Sequence, residues 1–345
     1  MIKAAVIGAT GYVGGELARL LLYHDGVTLT TLMSRSGEGK PYRERFRNFW
    51  HTGLTLTETN FDRAAEENDV IFVAAPHGVA SANITGDILK KTRVIDMGAD
   101  FRLSNADIYE KWYNTRHEGR KTLPEAVYGL TELWRGRIAA ARLVANPGCY
   151  TTAAITALWP LFKERLALPG SVIVDAISGV SGSGRDVRET NLFCEVNESL
   201  KAYGVGIHRH TPEIEEGLSR ALGADVAVTF TPHLAPVSRG ILATCYVSLA
   251  EPAGADELWR LYSEYYGAER FIRLLPPGNS PQTRWVRGSN YLDIGVFADE
   301  RTGRAVIVAA LDNMVKGAAG QAVQNMNVMF GLPEDAGIGQ LAVYP

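Results

Sequence analysis

Cysteine is scarce in this chain. The three residues present, Cys149, Cys194 and Cys245, cannot all pair, and none lies at a spacing that suits a zinc ligand set. Neither a disulfide scaffold nor a metal site is expected, and a reducing cytosolic setting is the simple reading. Runs of five or six basic residues are absent and the formal net charge is −3, so nothing draws the chain toward nucleic acid or an anionic membrane. No apolar stretch approaches membrane-spanning length, and Met1-Ile2-Lys3 runs straight into a strand pattern with no signal-peptide core. Internal repeats and low-complexity tracts are missing as well.

What is present is an ordinary globular composition, 46% hydrophobic and 21% charged over 345 residues, which is long for a single core and favours two domains. Strand patterns at 2–7, 27–33, 70–75, 92–96 and 143–146 alternate with helical patterns at 14–23, 61–67 and 79–89. That alternation predicts an α/β domain, a Rossmann-type doubly wound parallel sheet. Residues 104–142 are polar, aromatic and irregular, and no element is assigned there. Beyond 150 the texture changes to β-rich runs at 172–177, 224–232, 241–249 and 305–310, with helices at 211–222 and 255–266. A second α+β domain with a mixed or antiparallel sheet is expected. The expected division is 1–148 and 149–311, with a late helix in 312–345 packing back on the first domain.

The first chemical signal is Gly8-Ala9-Thr10-Gly11-Tyr12-Val13-Gly14, between the first strand and the first helix. Glycines at that spacing let backbone approach a diphosphate, which the helix N-terminus behind them attracts; the alternative is a plain tight turn. NAD-binding chains of this kind carry an acidic residue at the end of the second strand for the ribose 2′-hydroxyl. That acid is absent: the stretch reads Ser34-Arg35-Ser36. An arginine between hydroxyls suits a 2′-phosphate and hence NADP(H), unless Arg35 is merely a solvated surface group. Pro76-His77-Gly78 closes another strand and faces the same edge.

The second signal is Cys149 in Asn146-Pro147-Gly148-Cys149-Tyr150-Thr151-Thr152, at the start of a helical pattern. The positive end of a helix favours thiolate, the form that attacks activated acyl carbon; the alternative is a small buried hydrophobe, the expectation for Cys245. Third, His208-Arg209-His210 immediately precedes Thr211-Pro212-Glu213, where Thr211 reads as a helix N-cap and Pro212 as the first helical residue. Histidines on such a loop can move protons near neutral pH, or can simply be surface residues. Fourth, Ser178-Gly179-Val180-Ser181-Gly182-Ser183-Gly184-Arg185 has the composition of an anion-binding loop, and Arg102 in Ala99-Asp100-Phe101-Arg102 is a second candidate anion clamp.

Taken together these motifs resemble the N-acetyl-gamma-glutamyl-phosphate reductases, a branch of the semialdehyde dehydrogenases whose architecture resembles glyceraldehyde-3-phosphate dehydrogenase. Residues 8–14, 76–78, 98–103, 146–152, 178–185, 208–214 and 312–322 match in family order and span nearly the whole chain. The resemblance implies NADPH-dependent reduction of an acyl phosphate to a semialdehyde, the third step toward ornithine and arginine, by a homodimer or homotetramer. It implies that Cys149 is the nucleophile and His208 the acid–base group. By the same resemblance, Tyr203, His210 and Glu213 shape the substrate pocket, Arg102 holds the leaving phosphate, and Gly182, Gly184 and Asn313 lie near the nicotinamide. Two positions depart from the usual family pattern: Gly98 stands where serine is common, and Thr151 where proline is common. A relative acting on carrier-linked aminoadipyl phosphate has a motif resembling Gly-Ala-Gly-Cys-Asn, unlike Asn-Pro-Gly-Cys-Tyr here. Reduction of that substrate or of aspartyl phosphate, or non-catalytic NADP sensing, are the alternatives.

Overall fold

A computed structural model describes residues 1–344. The chain divides into two compact units: Met1–Pro147 with Ala318–Gly339, and Gly148–Gly317 with the chain from Gln340 onward.

The first unit contains strands β1 (Ile2–Ile7), β2 (Val27–Met33), β3 (Leu56–Thr57), β4 (Val70–Val73), β5 (Arg93–Asp96), β6 (Ala126–Tyr128) and β7 (Leu143–Ala145). They form one sheet in the order β3-β2-β1-β4-β5-β7-β6, with every pairing parallel. The apolar runs need no alternation because helices cover the strands: Ile7, Ile71, Val73, Val94 and Leu143 are buried with Ala64, Ile84 and Ile88. The helices are α1 (Tyr12–Leu22), α2 (Tyr42–Arg45), α3 (Phe61–Glu67), α4 (Val79–Asn83), α5 (Gly86–Lys91), α6 (Ala106–Tyr113) and α7 (Thr131–Ala140). The helix expected over 79–89 is two, because Thr85 is extended and its hydroxyl caps Ile88 N–H. The unassigned stretch 104–142 holds α6, β6 and α7; their short lengths and mixed polarity conceal them from periodicity.

The second unit contains α8 (Cys149–Lys163), β8 (Val172–Gly179), α9 (Phe193–Val196), β9 (Lys201–Ala202), α10 (Thr211–Leu222), β10 (Val228–Ala235), β11 (Ile241–Ser248), α11 (Ala255–Tyr266), β12 (Ile272–Leu274), β13 (Leu292–Asp299) and β14 (Arg304–Leu311). The sheet order is β12-β13-β14-β11-β8-β10-β9, mixed as expected, with β8–β10 and β12–β13 parallel and the rest antiparallel. Ile241, Ala243, Cys245 and Val247 of β11 are fully buried, whereas Leu242, Thr244 and Tyr246 on the opposite face are half-buried. Strand β13 was not expected from sequence; its charged Asp293 is buried against Arg273, which blurs the pattern.

The late helix, α12 (Gly320–Phe330), packs with α1 and α7 of the first unit. Its buried face is amide-rich: Gln321 and Asn325 both donate to Gly129 O, and Asn325 also donates to Asn146 Oδ1, 3.1 Å away. The segment belonging to the first unit begins at Ala318, not at 312. Asp312 holds the preceding turn in the second unit, accepting from Gly288 N at 2.7 Å and from Met314 N at 2.8 Å. After Gly339 the chain rejoins the second unit, where Val343 N donates to Arg287 O.

Candidate active site

The strand order of the first sheet reverses between β1 and β4, the position where doubly wound sheets open a ligand crevice at the strand carboxyl ends. Gly8 leaves β1 there at φ +82°, and a Cβ on it would stand 2.1 Å from Ala74 O at the end of β4. No side chain fits. Gly11, the N-cap of α1, has nothing nearer than 3.6 Å to its would-be Cβ, so its backbone faces open space. Tyr12 and Val13 begin the helix, two residues earlier than its expected start at Gly14. This bare helix start suits a diphosphate.

The loop is held from behind. Gly8 N and Ala9 N donate to Met33 O, Tyr42 Oη donates to Ala9 O at 2.7 Å, and the Thr10 and Ser34 hydroxyls lie 2.9 Å apart. Ser34 is buried and also accepts from Ser36 N, so its hydroxyl organises the loop, while Arg35 and Ser36 are exposed. Arg45 Nε reaches Thr10 O at 3.4 Å, bringing a second cation beside this loop. Tyr42 and Arg45 are not evident from the sequence because they belong to a one-turn helix that starts nine residues beyond the end of β2. Nearby, Asp100 accepts from Gly78 N, Ser81 N and Tyr109 Oη, and thereby fixes the Pro76-His77-Gly78 turn after β4. His77 packs edge-on against Tyr113 at 4.8 Å. Arg102 donates to Asn146 O at 2.8 Å and Met97 O at 3.1 Å; these two donors pin the ends of β7 and β5. Burial beside Asp100 pushes the Asp96 carboxyl well above its ordinary range.

In the second unit Cys149 is the first residue of α8, with Gly148 as N-cap, and it is partly exposed. Gly317 makes room for it: a Cβ there would lie 2.8 Å from Cys149 Cβ. Cys245 is fully buried and its thiol is pushed up to about 12, as an inert core residue should be; Cys194 is exposed in α9. Tyr150 turns into an aromatic cluster with Tyr203, His208, His210 and Phe230, in which neighbouring rings lie 4.9–5.9 Å apart. The Tyr150 and Tyr203 hydroxyls are 3.0 Å apart. Burial first, and for both the nearby Cys149 charge, push their ionisation to higher pH, Tyr203 to about 12.

His208 is tuned by the same enclosure. Burial first, then the Arg209 charge, lowers it from 6.5 to about 4, so the imidazole is neutral at neutral pH. His210 N donates to His208 Nδ1 at 3.1 Å, which assigns the remaining proton to Nε2. A neutral imidazole with a fixed Nε2–H can donate a hydrogen bond to a developing oxyanion. The N-cap of α10 is His210 rather than Thr211, and Pro212 is its second helical residue.

Two further predicted residues are buried and bonded to the protein itself. Glu213 is 2% exposed and its Oε1 accepts from Gly148 N at 2.9 Å and from Thr151 Oγ1 at 2.8 Å, so it faces the backbone of the nucleophile loop. Asn313 is also buried: Gly240 N donates to its Oδ1, and its Nδ2 donates to Ser181 Oγ. Its amide therefore fastens the 181–184 loop, on which Gly182 and Gly184 are exposed and Arg185 half-buried.

Residues 3–141 match the semialdehyde dehydrogenase NAD binding domain, and residues 149–313 match the semialdehyde dehydrogenase dimerisation domain. The chain belongs to the semialdehyde dehydrogenase family. Within that family it is 51% identical to an N-acetyl-gamma-glutamyl-phosphate reductase of Pelotomaculum thermopropionicum, across 100% of this chain and 99% of that one. It is 49% identical to the proteins of that name from Lachnospira eligens, over 100% of both chains, and Campylobacter jejuni, over 98% of both. Among solved semialdehyde dehydrogenases, aspartate semialdehyde dehydrogenase II of Vibrio cholerae superposes with a TM-score of 0.70 at 19% identity, over 96% of this chain and 98% of that one. The Candida albicans aspartate semialdehyde dehydrogenase with NADP gives 0.67 at 18% identity, over 96% and 98%. These last likenesses concern the fold alone. Among the described residues no helix is long and apolar enough to cross a membrane.

Proposed function

We propose that this semialdehyde dehydrogenase reduces N-acetyl-L-glutamyl 5-phosphate to N-acetyl-L-glutamate 5-semialdehyde and phosphate with NADPH, in the cytoplasm, as a step of ornithine and arginine synthesis. The observation that carries the reading is the partly exposed Cys149 at a helix start, beside an aromatic cluster containing a neutral, tautomer-fixed His208. Full-length identity near one half with reductases of that name directs it to this acyl phosphate.

Cys149 thiolate, favoured at the positive end of α8, attacks the acyl carbon; the carbon–sulfur bond forms as the carbon–oxygen bond to phosphate breaks, leaving a thioester. His208 Nε2–H donates to the oxygen that gains charge during this attack. The reduced nicotinamide supplies the hydride when bound. His208 Nε2–H then holds the oxyanion of the tetrahedral adduct by a hydrogen bond until the carbon–sulfur bond breaks, releasing aldehyde and thiolate with no net proton taken up. Tyr203 and His210, with Tyr150, line the acyl side of the cluster. Arg102 and Arg185 supply the positive charge for phosphate. Gly8, Thr10, Gly11, Tyr12, Val13 and Gly14 hold the diphosphate, with Pro76 and His77 across the crevice, and exposed Gly182 and Gly184 border the nicotinamide. Arg35 and Ser36 bind the 2′-phosphate, and Arg45 adds charge from the far side of Thr10. The enzyme works as a homodimer or homotetramer, with the half-buried face of Leu242, Thr244 and Tyr246 as the surface to be covered.

The test is semialdehyde oxidation with phosphate or arsenate, comparing N-acetyl-glutamate 5-semialdehyde with aspartate semialdehyde, each with NADP and with NAD. The N-acetylated substrate with NADP should give the highest kcat/KM. A preference for aspartate semialdehyde would overturn the assignment.

A further inference from the structure

We propose that Glu213 is a positioning residue, which ties the nucleophile's helix to the acid–base loop and makes no contact with substrate. The inference rests on the roles proposed for Cys149 and His208, and it replaces the pocket role that family resemblance implies for Glu213.

The geometry is that of two helix starts that exchange partners. An acidic residue at the third position of a helix commonly reaches back to the N–H of its own N-cap. In α8 that third position is Thr151, whose hydroxyl lies 2.6 Å from Gly148 O and not on the Gly148 N–H, and Gly148 as N-cap has no side chain with which to cap the helix. Gly148 is buried, so its N–H must find an acceptor within the protein. In α10 the third position is Glu213, but the N–H of its own N-cap, His210, is already donated to His208 Nδ1 at 3.1 Å. Glu213 instead crosses to α8, where its Oε1 accepts from Gly148 N at 2.9 Å and from Thr151 Oγ1 at 2.8 Å.

The imidazole of His208 thus serves the start of α10, and the carboxylate of α10 serves the start of α8. Cys149 and His208 each sit directly on one limb of this exchange. The same arrangement that orients the thiol also keeps the His208 ring in the tautomer with hydrogen on Nε2. At 2% exposure and with one oxygen facing Gly148, Glu213 is badly placed to select a ligand and well placed to hold two reacting groups in register.

The experiment uses the full chain carrying Cys194→Ser, which removes the exposed thiol and leaves Cys149 as the accessible one. Glu213→Ala, Glu213→Asp and Glu213→Gln are compared for kcat, for KM toward N-acetyl-glutamate 5-semialdehyde, and for the rate of Cys149 alkylation by iodoacetamide. Loss of the tie should lower kcat about 100-fold in the alanine variant, with slower alkylation and KM changed less than about threefold, because misplacement by an ångström costs that much. Glutamine keeps an acceptor oxygen at the same reach and should restore most of kcat and alkylation; aspartate, one methylene short, should restore much less. If the alanine variant does not fold, the contrast between glutamine and aspartate carries the test. A glutamine variant with KM raised tenfold or more and kcat retained would make Glu213 a substrate ligand and overturn the proposal, as would full turnover and alkylation in the alanine or aspartate variant. Cys149→Ser in the same assay isolates the underlying reading: turnover retained there would remove the nucleophile itself, whatever the Glu213 variants do.

Discussion

Gly8 and Gly11 lie three residues apart in one loop, yet the same substitution should damage different properties at each. At Gly8 an alanine Cβ would meet Ala74 O at 2.1 Å, and the backbone sits at φ +82°. The obstacle is the main chain of β4, which cannot rotate away, so β1 and β4 must separate or the turn must change. Left-handed strain of about 1–2 kcal/mol plus overpacking of about 1–3 kcal/mol gives a predicted loss of roughly 2–5 kcal/mol for Gly8→Ala. At Gly11, φ is −78° and the nearest atom to the new methyl is 3.6 Å away, so Gly11→Ala should cost less than about 1 kcal/mol, the scale of an N-cap change. That methyl, however, would project into the space assigned to the diphosphate. Losing one charge-assisted hydrogen bond, about 1.5–3 kcal/mol, should weaken NADPH binding about 10- to 100-fold. Urea unfolding and NADPH fluorescence titration read the two effects separately. Equal stability loss in both variants would refute the steric argument, and unchanged NADPH affinity in Gly11→Ala would refute the placement of the diphosphate.

Three further outcomes follow from the proposed site. Cys149→Ser should lower turnover at least about 1,000-fold while leaving NADPH affinity within about threefold, because the thiol's nucleophilicity, not cofactor binding, is removed; substantial turnover would exclude a thioester route. His208 is held near 4 against 6.5 when unfolded, so the unfolded chain takes up a proton first as pH falls; stability is full above 6.5 and is lost on descending toward 4. Comparing wild type with His208→Asn by urea unfolding at pH 7.5 and 5 should expose a difference on the order of 1–2 kcal/mol after allowance for partial exposure; identical pH dependence would count against the buried neutral imidazole. Arg35→Ala should raise Kd for NADPH about tenfold and leave that for NADH unchanged, and an equal effect on both would move the 2′-phosphate elsewhere.

Much of this organisation is legible in residue order. Gly8–Gly14 between an apolar strand and a helix, the missing acid at Ser34-Arg35-Ser36, and Asn-Pro-Gly ahead of Cys149 are local signals, because turn geometry, helix capping and strand burial act over a few residues. The same locality explains the β8, β11 and β14 runs and the length of α10. It also explains what went unseen. Element β6 is only three residues long, α6 and α7 mix polar and apolar residues and α7 is interrupted by non-helical backbone at Trp134, and β13 hides a charged residue whose partner, Arg273, lies on another strand. The beginning of the returning segment at Ala318 depends on Asp312 finding Gly288 N, twenty-four residues away.

The functions of individual polar side chains divide the same way. Sequence alone determined that this chain has a parallel nucleotide-type sheet, a second mixed-sheet domain, one cysteine poised at a helix start and a histidine pair before another, since each follows from neighbours within a turn or strand. Only the tertiary structure decided which way Glu213, Asn313 and Ser34 face. Each can serve a ligand or an orphaned backbone group equally well by its chemistry. The choice is made by whichever buried donor or acceptor lies within 3 Å once distant segments meet, and for Glu213 that group is Gly148 N–H, sixty-five residues away in the chain.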